Sequence, residues 1–127
     1  MEPSRLAQGL RWIAHQPYFK GKWRLEKWFE SHIRLPLAGE VLEFPHGFGM
    51  ALDPTLSCER DFYYRDGEAD TFAFLRGFLK PGMHVADCGA HIGFYTLAAS
   101  RLVGDAGTVS AFEPTPATYV RLQHHVV

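Results

Sequence analysis

One acidic residue stands just ahead of a glycine-rich segment, and a second ends the next hydrophobic run. Residues 87–93 read DCGAHIG, so Asp87 precedes Gly89 and Gly93, and Glu113 closes the run TVSAFE. A glycine after a strand lets the chain turn sharply and lets a ligand approach the backbone closely. An acid about twenty residues further on can accept hydrogen bonds from both hydroxyls of a ribose. The spacing predicts a nucleoside-binding turn, and a plain tight turn between strand and helix is the alternative.

The elements around this segment are predicted to alternate as strand, helix, strand and helix. Residues 85–87 and 108–113 have the pattern of strands. Apolar residues at helical spacing mark residues 94–102 as a helix that Gly104 ends, and Thr115 caps a last helix that starts at Pro116. Because such crossovers are right-handed, both strands end at the same edge of the sheet, where ligands of α/β sheets bind. We therefore expect Asp87 and Glu113 to lie at one edge.

The residues within the turn favour one nucleoside ligand over another. A dinucleotide site needs G-x-G-x-x-G, because the second glycine makes room for a pyrophosphate at the helix N-terminus. Here Ala90 and His91 replace that pattern, and the carboxylate of Asp87 would repel a pyrophosphate. The same carboxylate would attract the ammonium group of a methionine moiety beside a sulfonium. The turn therefore favours S-adenosylmethionine over NAD.

Two motifs resemble those of the FkbM family of methyltransferases. Residues 79–96 (LKPGMHVADCGAHIGFYT) resemble the first S-adenosylmethionine motif of that family, and residues 107–114 (GTVSAFEP) resemble its second strand with the acidic end. Glu68 followed by Thr71 is similar to an acidic position that the family places ahead of the first strand. His91 is a departure, because the family usually has Asn there.

The resemblance implies part of a Rossmann-like class I methyltransferase fold, in the α/β class, that uses S-adenosylmethionine. It implies O-methylation of a small molecule or a sugar-containing acceptor. It also implies the cofactor-binding residues: Glu113 at the ribose hydroxyls, Glu68 near the methionine moiety, and Asp87, Gly89, Ala90 and Gly93 along the methionine and ribose end.

The chain ahead of these motifs is expected to form an extension, residues 1–67, and residues 68–127 the first half of the cofactor-binding domain. Helices are predicted over residues 4–16, 23–33 and 58–64, with a β-hairpin of residues 40–44 and 48–53 and a turn at residues 65–67. Asp70 is expected to be the N-cap of a further helix that stops near Lys80, ahead of Pro81.

Charge and composition set broader expectations. The 127 residues carry a net charge of -1, which gives the whole chain no bias towards nucleic acid. Residues 1–34 are basic and aromatic, so this segment could contact a membrane surface or a phosphate-bearing partner, although a solvated helix face is the commoner origin of such a pattern. Two cysteines, no run of membrane-spanning length and no signal-peptide pattern predict a cytoplasmic protein.

Several features that a complete methyltransferase requires cannot be assigned to residues of this sequence. His84, His91, His124 and His125 are candidates for a general base only by residue type, so no catalytic residue is assigned, and no metal-ligand spacing is present. The chain stops where the family continues into strands that hold adenine contacts, so the 127 residues alone are expected to bind weakly and not to turn over. A non-catalytic fragment, a nucleoside-binding or interaction module, and an NAD-dependent oxidoreductase fragment are the alternatives. An open sheet edge predicts self-association.

Overall fold

A computed structural model describes residues 5–32, 41–44, 46–53, 55–65 and 69–126 of the chain. These residues form a mixed α/β structure with two small sheets. The elements, in chain order, are α1 (Arg5–Ala14), α2 (Lys22–His32), β1 (Val41–Phe44), β2 (Phe48–Ala51), α3 (Ser57–Arg65), α4 (Ala69–Phe78), β3 (His84–Cys88), α5 (Phe94–Val103), β4 (Thr108–Phe112) and α6 (Pro116–Val126).

The chain divides into two compact units. The first combines Met1–Glu40 with Leu52–Ala69, and the second combines Val41–Ala51 with Asp70–Val127. The hairpin therefore groups with the α/β part, whereas the sequence-based boundary at residue 67 places it in the extension. The reason is long-range packing, because Phe44 and Phe48 of the hairpin contact Phe94 of α5.

The first unit is helical. Helices α1 and α2 pack together so closely that a Cβ on Gly9 would lie 2.9 Å from a ring carbon of Phe29. Leu10 and Ile13 of α1 are buried. In the same unit the buried Glu59 of α3 accepts a hydrogen bond from the backbone N–H of Asp53 at 2.7 Å, which fixes the entry into that helix.

The second unit has an aromatic core centred on Phe94, the first residue of α5. The rings of Phe44, Phe48 and Phe72 meet Phe94 edge-on, with centroids 5.0, 5.5 and 5.4 Å away. Such edge-to-face pairs add about 0.5–1.5 kcal/mol each beyond the burial of apolar area. This packing joins the β1–β2 hairpin and α4 to the start of α5.

The second sheet is parallel and has two strands, β3 and β4, in register from His84 opposite Thr108 to Cys88 opposite Phe112. Val85 and Val109 face a cluster formed by Leu79, Ala99 and Val103. The residues of the opposite face are exposed: His84, Ala86, Cys88, Thr108, Ser110 and Phe112. One face of this sheet is therefore packed and the other is open.

Several sequence predictions differ from the structure at element ends. Asp70 is not an N-cap, because α4 begins at Ala69 and Asp70 lies in its first turn, where a negative charge favours the helix dipole. Helix α3 continues to Arg65, where the sequence suggested the start of a turn, and the rest of that turn lies outside the described residues. Helix α4 ends at Phe78, two residues before the expected Lys80.

Candidate functional site

The carboxyl ends of β3 and β4 lie side by side, and the two acids follow from that register. Asp87 is paired with Ala111, one residue before the end of β3, and Glu113 directly follows Phe112, the last residue of β4. The structure therefore brings Asp87 and Glu113 to the same edge of the parallel sheet. We call the segment of residues 88–93 between β3 and α5 the glycine loop.

Backbone hydrogen bonds attach the glycine loop to the end of β4. The amides of Gly89 and Ala90 both donate to the carbonyl of Phe112, at 2.8 and 3.0 Å, and the amide of His91 donates to Oε2 of Glu113 at 2.9 Å. Three successive loop amides thus bind the same strand end. Gly89 has a φ of +87°, which glycine adopts without the steric cost of a Cβ.

Among the residues that the structure describes, His91 is the only non-glycine residue with a positive φ, which is +51°. Asn, Asp and His are the residue types enriched in this left-handed region. A histidine at position 91 is therefore compatible with the left-handed backbone of the loop. It also introduces an imidazole whose positive form lies close enough to Glu113 to stabilise the carboxylate.

Glu113 is held ionised by several groups. The backbone N–H of Thr115 donates to Oε1 at 2.8 Å, and the side chain of Thr115 also hydrogen-bonds the carboxylate. These bonds lower the pKa of Glu113, with further lowering by the amide and the charge of His91, and they outweigh the opposing effect of desolvation. An ionised carboxylate has about four lone-pair sites, so the three hydrogen bonds from Thr115 and His91 leave about one site for a ligand.

Asp87 has a partner that the sequence analysis missed. The hydroxyl of Thr96, a buried residue in the first turn of α5, donates to Oδ2 of Asp87 at 2.5 Å. Asp87 itself is half-buried. The sequence contained one signal for this contact: a threonine in the first turn of the helix that follows the strand of Asp87. The first turn of that helix packs over the end of the strand, so a hydroxyl there lies near the acid.

Helix α6 holds the far side of the glycine loop. Gly93 has a φ of +96°, and a Cβ there would lie 2.8 Å from Cδ1 of Leu122. Nδ1 of His125, a half-buried residue, is 2.7 Å from the carbonyl oxygen of Ile92 and donates to it. His125 is therefore an anchor of the loop, and the absence of a side chain at Gly93 lets the helix approach.

The remaining residues singled out in the sequence have other positions. Ala90 and Gly93 are buried within the glycine loop. Glu68 lies outside the described residues. His84 begins β3, where its Nδ1 is 2.7 Å from Oγ1 of Thr108, at the opposite edge of the sheet from the glycine loop. His124 is exposed on α6.

The described ranges contain no group of three or more His, Cys, Asp or Glu residues that could hold a metal ion. Within the same ranges, every helix is too short or too polar to cross a bilayer. No protein-family model, curated protein or solved structure gives a significant match to this chain.

Proposed function

We propose that the glycine loop, together with Asp87 and Glu113, binds S-adenosylmethionine, and that the chain is the cofactor-binding part of a Rossmann-like class I methyltransferase. The observation that carries this proposal is the bond between the glycine loop and Glu113: the amide of His91 donates to a carboxylate whose pKa is lowered. A charged acceptor therefore sits against the backbone of the turn, which suits a ribose that lies along the loop.

Each acid has a distinct role in this proposal. Glu113 accepts a hydrogen bond from a ribose hydroxyl through its remaining lone-pair site. Asp87 attracts the ammonium group of the methionine moiety, and Thr96 fixes its orientation by donating to Oδ2. Gly89 leaves room for the ligand, because no described residue other than its two chain neighbours has an atom within 4 Å of the position that a Cβ would take there.

The loop amides favour this ligand over a dinucleotide. A pyrophosphate is held by backbone N–H groups at the turn and at the helix N-terminus. In this chain the amides of Gly89, Ala90 and His91 already donate to Phe112 and Glu113. The negative charges of Asp87 and Glu113 at the same edge add repulsion, and both effects disfavour NAD.

The reaction that we propose is O-methylation of a small molecule or a sugar-containing acceptor. S-adenosylmethionine supplies a methyl group on a sulfonium, which makes the carbon electrophilic. The task of the protein is to hold the donor in position for in-line attack, and such positioning is worth several kcal/mol, on the order of 7–11 in the best intramolecular cases. The described residues that we can name bind and orient the donor, and we assign none of them as the general base.

Ligand-observed saturation-transfer NMR tests the proposal, because it detects weak binding. We expect the ribose and methionine protons of S-adenosylmethionine to receive saturation from the wild-type chain, and NAD to receive much less. Glu113→Ala and Gly89→Val should each abolish the transfer. Asp105→Ala is the matched control, since Asp105 is an exposed acid just ahead of β4, at the other end of that strand. Equal transfer in all variants would refute the site.

Incubation with labelled donor and hydroxylated acceptors separates binding from catalysis. Transfer of the label to an acceptor, lost in Glu113→Ala, would support a methyltransferase. Binding without transfer to any acceptor would favour a nucleoside-binding module.

A further inference from the structure

The connection between α1 and α2, together with the first turn of α2, exposes three aromatic side chains. Tyr18 is 85% exposed, Trp23 is 67% exposed and Phe19 is 40% exposed. We call these three residues the aromatic corner. Large aromatic groups in water have a free-energy cost that a protein usually avoids by burial, so a group of three within six residues points to a surface that contacts something else.

The aromatic corner is a fixed structure. Gly9 of α1 lies against Phe29 of α2, positions equally far from residue 19, so the two helices run antiparallel with the corner at their junction. The ammonium of Lys22 donates to the carbonyls of Ala14 and Gln16 at 2.9 and 2.5 Å. These bonds close the end of α1 and hold the connection in place.

The ammonium of Lys22 is thus occupied by hydrogen bonds within the chain, whereas two other cations near the aromatic corner can bind external groups. Lys20 and Arg24 are exposed, and neither makes a hydrogen bond or an ion pair with another residue in the described part of the chain. The corner consequently presents aromatic rings beside two cations that can bind external anions.

We propose that the aromatic corner docks on a membrane surface that contains anionic lipids. Tyr and Trp concentrate at membrane interfaces, because their rings have an apolar body and a polar tip. The exposed cations Lys20 and Arg24 complement the charge of the lipid phosphates. A single-stranded nucleic acid is the less favoured occupant, because it requires a basic groove along which bases stack, and here the rings lie at the end of a helical hairpin. This inference is independent of the proposed cofactor site.

Cosedimentation of the full chain with vesicles tests the proposal. We expect binding to vesicles of equimolar phosphatidylserine and phosphatidylcholine, weakened by salt, and little binding to phosphatidylcholine alone. Tyr18→Ser combined with Phe19→Ser and Trp23→Ser should reduce the partition coefficient by about tenfold or more. Lys20→Gln combined with Arg24→Gln should reduce it roughly thirtyfold, at about 1 kcal/mol for each cation near the lipid surface.

Matched controls come from the second unit, where Phe74 is 62% exposed and Arg76 is also exposed. Phe74→Ser and Arg76→Gln should leave vesicle binding unchanged. Circular dichroism checks that every variant keeps its helices. Equal losses in the control variants, or tighter binding to a single-stranded oligonucleotide that vesicles do not displace, would overturn the proposal.

A single-tryptophan form gives a second readout and leaves the aromatic corner itself unchanged. With Trp12→Phe and Trp28→Phe, the fluorescence reports on Trp23 alone. We expect a blue shift on adding the anionic vesicles and quenching by lipids with brominated chains. An unchanged spectrum at saturating lipid would contradict insertion of the aromatic corner.

Discussion

The backbone N–H of His91 donates to Oε2 of Glu113 across 2.9 Å, although 22 positions separate the two residues in sequence. This bond couples the glycine loop to the strand that follows it. The conformation of the glycine loop therefore depends on the charge of Glu113. The hydrogen bond that Glu113 accepts depends in turn on the left-handed backbone conformation of His91. The proposed cofactor binding and the local stability are therefore expected to change together when either residue is substituted.

The titration of Glu113 tests this coupling. Its pKa in the folded chain is below the ordinary value, chiefly because of the two hydrogen bonds from Thr115. His91→Asn removes the positive charge and keeps the amide, so we expect the pKa of Glu113 to rise while staying below its ordinary value. Carbon-detected NMR of the side-chain carboxyl measures this shift. His124→Asn, on an exposed histidine, should leave it unchanged.

The same shift predicts a pH dependence of stability. A carboxyl group whose pKa is lowered by folding stabilises the folded state above the pKa of the unfolded chain, and that contribution is lost as the pH falls through the lower folded value. Glu113→Gln should therefore reduce the stability difference between neutral and acid pH. Urea unfolding at a series of pH values measures it, and a difference that is the same in wild type and variant would contradict the expectation.

Thr96→Val tests the hydrogen bond that Asp87 accepts. Valine keeps the shape of threonine but leaves the half-buried Asp87 without its hydroxyl donor. We expect a loss of about 1.5–3 kcal/mol in the free energy of unfolding, since the lost bond is to a charged group. Thr96→Ser retains the donor and should recover most of that loss in the same urea titration. Equal stability of the valine and serine variants would show that the bond contributes nothing.

Gly93→Ala tests the close approach of α6 to the glycine loop. The new Cβ would lie 2.8 Å from Leu122, at a φ of +96°. We expect a destabilisation of about 2–4 kcal/mol from strain and overpacking. Gly77→Ala is the matched control, because no described atom outside the adjacent backbone of α4 lies within 4 Å of the missing Cβ of that helical glycine. The control should stabilise the chain by about 0.5–1 kcal/mol. Thermal unfolding of both variants distinguishes the two effects.

The open face of the parallel sheet predicts self-association. Phe112 ends β4 on that face and is 57% exposed. We expect reversible dimers in sedimentation velocity, weakened several-fold by Phe112→Ser, because an exposed aromatic strand residue favours contact with a second sheet. Phe78→Ser, on an aromatic residue of α4 with 59% exposure, should leave the association unchanged. A chain that is monomeric at all accessible concentrations would rule this contact out.

Local periodicity was sufficient to predict most elements of the fold. Apolar residues at helical spacing and the Pro-His-Gly turn located the helices and the hairpin to within a few residues. Helix ends were less well predicted, as at Asp70, because the capping residue is chosen by hydrogen bonds that spacing does not specify. The grouping of the hairpin with α5 depends on the rings around Phe94, and no local pattern encodes such long-range packing.

The positions of the two acids in the candidate site could be predicted, because they follow from the direction of the strands alone. Parallel strands and a right-handed crossover were enough to place Asp87 and Glu113 at one edge. The roles of Thr96 and His125 could not be derived in this way, because each depends on which side of a helix faces the glycine loop. Ala90 and Gly93 are buried in the loop, and their expected place along the ligand stays a prediction.

Residue-resolved NMR of the labelled chain during titration with S-adenosylmethionine is the most direct test of the cofactor site. We predict saturable shifts concentrated at the amides of Gly89, Ala90, His91 and Thr115, because these groups bond to Glu113 or to the strand end beside it. The shifts should disappear in Glu113→Ala and persist in Asp105→Ala. Shifts that are absent, or that are spread over residues remote from the glycine loop, would contradict a cofactor site at this edge of the sheet.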